Sequence, residues 1–126
     1  MNKRVIDSSA ILALIFREKG GEKVAPILED SLISSVNVAE VFSKLSEKGL
    51  LTKERISEFY KLGLELADFD AEQALKAGEL RMMTKHLGIS LGDRCCLALA
   101  ILRDATAVTA DREWKKLSFC KVESIR

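Results

Sequence analysis

Short apolar stretches of strand character alternate with segments of helical periodicity along the whole chain, and this alternation constrains the fold most strongly. Arg4 to Ile6 reads as a strand, followed by a helix from Ser8 to about Arg17. Gly20 and Gly21 break the chain. A second helix starts near Val24, because Pro26 is tolerated only in a first turn. Leu32 to Ser34 is the second strand. Ser35 caps a helix whose apolar face is Val38, Val41, Phe42 and Leu45, at spacing i, i+3, i+4, i+7, and Gly49 ends it. Thr52 caps the next helix, with Ile56, Phe59 and Tyr60 on one face. A third strand lies within Leu64 to Phe69. Asp70 and Gln73 form a capping-box pattern for a long helix with Ala71, Ala74, Leu75, Gly78 and Met82 on its apolar face, ending at His86 and Gly88. Another helix starts near Leu91. Its run CCLALAIL, Cys95 to Leu102, is apolar nearly all round and is expected to be buried. Ala107 to Thr109 is a fourth strand, Arg112 to Leu117 a short helix, and Cys120 to Ser124 a last strand. Such alternation specifies an α/β domain, a parallel sheet with helices on both faces.

Length and composition narrow the class. The 126 residues suit one domain over 1–126. Twenty Lys and Arg against 19 Asp and Glu leave a formal charge of +1, which excludes nucleic-acid binding by bulk basicity and an acidic disordered chain. No apolar run approaches the ~18–20 residues that span a bilayer, so no membrane association is expected. The opening MNKRVIDSSAILALIF is basic and then apolar, as in a signal peptide. Asp7, Ser8 and Ser9 interrupt it and no small-residue cleavage site follows. The cysteines, Cys95, Cys96 and Cys120, are odd in number and lack metal-ligand spacing, as expected of reduced thiols in a cytoplasmic protein.

Four carboxylates occupy informative positions. Asp7 follows the first strand and Asp111 the fourth. In open parallel sheets, ligands bind outside the carboxyl ends of strands where the strand order reverses. Asp93 opens the buried helix, and Glu40 shares a polar helix face with Asn37 and Lys44. Each also has a structural role open to it. Asp7 and Asp111 would serve as helix caps, Asp93 would favour a helix dipole, and Glu40 would be a solvated helix residue. Their placement toward one end of the sheet implies a shared cleft, where like charges repel unless a cation sits among them. Mg²⁺ or Mn²⁺, one or two ions, would meet that need, since both take oxygen ligands and keep waters that substrate replaces. Such ions support in-line hydrolysis of a phosphodiester without a Ser–His or Cys–His system.

The chain resembles the PIN-domain ribonucleases, and most of all the VapC-type toxins of VapBC toxin–antitoxin pairs. The matching pieces are VIDSSAILALI (Val5 to Ile15), SSVNVAEVFSKL (Ser34 to Leu45), SLGDRCCLALA (Ser90 to Ala100) and VTADREW (Val108 to Trp114). The resemblance implies a three-layer α/β/α fold with about five parallel strands in the order 3-2-1-4-5, and metal-dependent endonuclease cleavage of RNA. Its acidic set maps onto Asp7, Glu40, Asp93 and Asp111, with Asp7 and Asp93 as the main metal ligands. Ser9, Thr109 and Asn37 map onto supporting polar positions. The resemblance also implies a homodimer and a VapB-type antitoxin. The antitoxin's C-terminal segment would lie in a groove of the helical hairpin from Ser35 to about Leu62, where Phe59 and Tyr60 are either exposed anchors or core.

Other residues carry less. Arg94 and Arg112 follow two of the acids and either reach RNA phosphates or pair with carboxylates. Trp114, Lys115 and Lys116 form either a minor phosphate patch or a solvated helix face. His86 is expected to act as a helix-end residue and Met82 and Met83 as core filling. Two competing functions share this framework. A phosphotransferase with Asp7 as nucleophile is disfavoured by Ser9, which stands where haloacid-dehalogenase chemistry wants an acid. A non-catalytic binding module of the same fold is disfavoured by the complete acidic set.

Overall fold

The structure, a computed structural model, describes residues 4–126, so the first three positions of the expected domain lie outside the described residues. Five strands form one sheet: β1 (Arg4–Ile6), β2 (Ser31–Ser34), β3 (Glu65–Ala67), β4 (Thr106–Thr109) and β5 (Val122–Ser124). They pair in the order β3-β2-β1-β4-β5, parallel throughout, as expected. Both faces of the sheet are covered, and successive side chains of each strand serve opposite layers. Val5, Leu32 and Ala107 point into one core, and Ile6, Ile33 and Val108 into the other. The first core is closed by α4 (Ala71–Thr84) and α5 (Leu91–Leu102), the second by α1 (Ser8–Ile15), α2 (Ser35–Glu47) and α3 (Lys53–Tyr60). The order reverses between β1 and β4, so the sheet's crevice opens at their carboxyl ends.

Several elements depart from expectation. The helix expected near Val24 is a 3₁₀ helix, Ala25–Asp30, closed by the Ser31 hydroxyl donating to the Ile27 carbonyl as the chain enters β2. α1 stops at Ile15, two residues early, and Arg17 turns the chain with φ +54°. The cap of α2 is Ser34, whose Oγ accepts from the Val36 amide. Ser35 is already helical and its Oγ accepts from the Phe69 amide instead. In α4 the buried residues are Gln73, Ala77, Leu80 and Thr84, not the expected face. Leu75, Met82 and Met83 are 68%, 74% and 50% exposed, so the two methionines do not fill the core. α5 behaves as its composition demands, with Cys95 to Ala100 all buried. Gly49 and Gly88 follow α2 and the 3₁₀ turn after α4 with φ +69° and +66°, a backbone glycine adopts without a Cβ penalty.

Candidate active site

Asp7 sits at the reversal point. Its amide donates to the Val108 carbonyl and its carbonyl starts α1, so its backbone occupies the cap position. Its side chain makes no cap bond. Oδ2 accepts from the Ser9 hydroxyl at 2.6 Å and the Thr109 hydroxyl at 3.0 Å. The two hydroxyls accept in turn from the amides of Ala110 and Asp111. Each hydroxyl has one proton and both are directed at Oδ2, so the ends of β1 and β4 are laced together through one carboxylate oxygen. Oδ1 is buried and, among the described residues, has no partner. Burial pushes the Asp7 carboxyl up to about 7. The hydroxyl bonds oppose this, and the charges of Asp93 and Glu40 add to it.

The other acids arrive from different elements. Glu40, one turn after Asn37 on α2, accepts through Oε1 from Asn37 Nδ2 at 2.7 Å and from the Ser8 hydroxyl at 3.0 Å. Asn37 Nδ2 also lies 3.2 Å from the Gly92 carbonyl, which ties α2 to the start of α5. Asn37 is therefore buried rather than part of a solvated polar face, while Lys44 pairs with Glu47 outside. Asp93 and Ser90 form a capping box for α5, Oδ2 accepting the Ser90 amide and Ser90 Oγ accepting the Asp93 amide. Burial raises the Asp93 pKa; Ser90 counters it, and Glu40 and Asp111 reinforce it. Asp111 is exposed and caps the 3₁₀ helix Arg112–Lys116 through Oδ1.

These couplings place Asp7, Glu40, Asp93 and Asp111 in one electrostatic neighbourhood. Among the described residues, however, no three acidic, His or Cys side chains are already closed around one metal position. The donor set still fits a hard divalent cation. The ligands are oxygens, one of them buried and bare, and Mg²⁺ commonly takes only one or two carboxylates and keeps waters.

The remaining candidates separate. Arg94 Nη1 donates to the Ala77 carbonyl at 2.9 Å and locks α5 to α4. Arg112 is exposed and, among the described residues, forms no ion pair. Trp114 is fully buried in the core and offers nothing to a phosphate patch, and Lys116 pairs with Glu113. His86 is exposed in the 3₁₀ turn Lys85–Leu87. Phe59 is buried and Tyr60 is 57% exposed, edge-to-face with Phe42 and with each other. Ser8, Ser90 and Gly92 are site neighbours not expected from the sequence. The S-x-x-D spacing of Ser90 and Asp93 is a legible capping signal. The contacts of Ser8 and Gly92 with Glu40 cross elements and leave none.

The PIN domain family model matches residues 4–119. No curated protein matches the chain significantly. Among solved structures it is similar to VapBC from Salmonella typhimurium, bound to DNA, with 20% identity, full coverage of both chains and a TM-score of 0.77. It is also similar to VapBC2 from Rickettsia felis, bound to a promoter DNA fragment, with 23% identity, coverage of 96% and 97%, and a TM-score of 0.75. VapC20 from Mycobacterium tuberculosis, described as a sarcin-ricin loop cleaving toxin, shares 15% identity over 96% of this chain and 99% of its own, with a TM-score of 0.69.

Proposed function

Because the chain belongs to the PIN domain family, we propose that it is a metal-dependent endoribonuclease, the VapC-type toxin of a toxin–antitoxin pair acting in the cytoplasm. The observation that carries this reading is Asp7. A carboxylate with a bare buried oxygen and a pKa near 7, coupled to Asp93 and Glu40, gains most from a cation. Mg²⁺ or Mn²⁺, one or two ions, would be held by Asp7 and Asp93, with Glu40 and Asp111 completing the set. When bound, the metal supplies positive charge to the phosphodiester and acidifies water. Ser9 and Thr109 orient Asp7, Asn37 and Ser8 orient Glu40, and Ser90 orients Asp93. Arg112 at the rim would take an RNA phosphate.

The partner in this reading is a VapB-type antitoxin, and the toxin acts as a homodimer. A groove of about 510 Å³ lined by Leu14, Ile15, Leu45, Phe59 and Leu62, together with Arg17, Arg55 and Glu58, lies beside the α2–α3 hairpin and suits an antitoxin segment. The test is RNA cleavage by purified protein. We expect cleavage with Mn²⁺ or Mg²⁺, its loss with a chelator, and its loss in Asp7→Asn and Asp93→Asn, together with relief of growth arrest in a bacterial host. Undiminished cleavage by both variants would refute the assignment.

A further inference from the structure

Gly92 is the second residue of α5 and is buried. Its backbone does not require glycine, since it is helical and its φ is not positive. Glycine is among the weakest helix formers, so alanine would serve the helix better. What excludes a side chain is Glu40. A Cβ built on Gly92 would fall on the Glu40 carboxylate, inside contact distance of both oxygens and Cδ. The carboxylate thus occupies the space that a side chain on Gly92 would need. Asn37 closes the arrangement, its Nδ2 shared between Glu40 Oε1 and the Gly92 carbonyl. Gly92 is next to Asp93 in the chain, so the seat brings Glu40 to the start of α5, where Asp93 stands.

We propose that Gly92 is a positioning residue for Glu40, a seat that works with the Asn37 bond already described to hold the carboxylate at the start of α5, beside Asp93, for a shared divalent cation. This rests on the metal-dependent reading. Gly92→Ala is expected to fold with an unfolding temperature at or above wild type, because Glu40, a flexible side chain, is what moves. Its Mn²⁺ affinity by calorimetry is expected to fall about 10–100-fold, the usual cost of disturbing an outer-shell partner. Asn37→Ala is expected to weaken Mn²⁺ in the same way. In a Glu40→Gln background Gly92→Ala is expected to add nothing further, since it acts only through Glu40. Wild-type Mn²⁺ affinity in Gly92→Ala, an added loss in the double variant, or failure of Gly92→Ala to fold overturns the proposal. A wild-type protein that binds no Mn²⁺ overturns the metal reading. In that case a crystal structure of Gly92→Ala still decides the seat, and an unmoved Glu40 carboxylate refutes it.

Discussion

Asp7 is paired through one oxygen and bare at the other, and its pKa of about 7 lies above the 3.8 of an unperturbed aspartate. The folded state therefore holds this proton more tightly than the unfolded chain. Below pH 3.8 both states are protonated and the site costs nothing; between about 4 and 7 the metal-free protein loses stability, and above 7 the loss is complete. Each pKa unit corresponds to about 1.4 kcal/mol, so the full effect is on the order of a few kcal/mol. Asp7→Asn removes the charge. In chelator, its urea midpoint is expected to exceed wild type at pH 8 and match it at pH 3.5. A variant less stable than wild type at pH 8 would show that burial is not the governing cost. The same proton competes with metal, so Mn²⁺ affinity of the wild-type protein is expected to rise from pH 6 to pH 8, with proton release on binding. The position of Asp7 was legible from its place after the first strand. Its titration was not, because burial there is built by β4 and α5 from the far end of the chain.

α4 shows how an element can mislead at its own scale. It carries two stripes at helical spacing, one apolar and one mixed. Ala71, Ala74, Leu75, Gly78 and Met82 satisfy helical spacing, and so do Gln73, Ala77, Leu80 and Thr84, which are the buried ones. Periodicity cannot choose between stripes when the second contains Gln and Thr. Thr84 Oγ1 is satisfied in place by donating to the Leu80 carbonyl; Gln73 Nε2 donates to the Asp68 carbonyl, while its Oε1 is buried and, among the described residues, has no partner. Substitutions separate the stripes. Leu80→Ala is expected to cost about 2–5 kcal/mol as a core truncation. Leu75→Ser and Met82→Ser are expected to stay within about 0.5 kcal/mol of wild type. Denaturant titrations check both, and equal losses for Leu75 and Leu80 would contradict the observed burial. The other boundary errors have similar local causes. Ser34 and Ser35 are both good caps, and the tertiary bond from the Phe69 amide decides between them. Trp114 sits among Lys and Glu in the sequence, yet it turns inward as the 3₁₀ helix passes over the core.

For the whole molecule, alternation was enough to specify a parallel three-layer fold, because it requires each crossover to cover a sheet face. Asp7 and Asp111 just past the ends of β1 and β4, and Asp93 in the first turn of α5, lie toward one edge, with Glu40 reaching the start of α5 from inside α2. The near-neutral total conceals this segregation. With Asp7, Glu40, Asp93 and Asp111 gathered at the crevice, the remainder of the chain is net basic. That surplus is small for a chain of 126 residues, so under the proposed function RNA is expected to bind through few local phosphate contacts and not through a broad basic field. For single strands each contact contributes about −0.7 to the slope of log K against log salt. Anisotropy titrations of RNA with the Asp7→Asn protein are expected to give a shallow slope, reduced by about 0.7 in Arg112→Ala. Arg94→Ala is expected to leave the slope unchanged and lower the unfolding temperature instead, because its guanidinium holds the Ala77 carbonyl across the α4–α5 pair. A steep slope, or one indifferent to Arg112, would mean that phosphate is met by a wider basic surface. The balanced charge would then have no bearing on how this protein finds RNA.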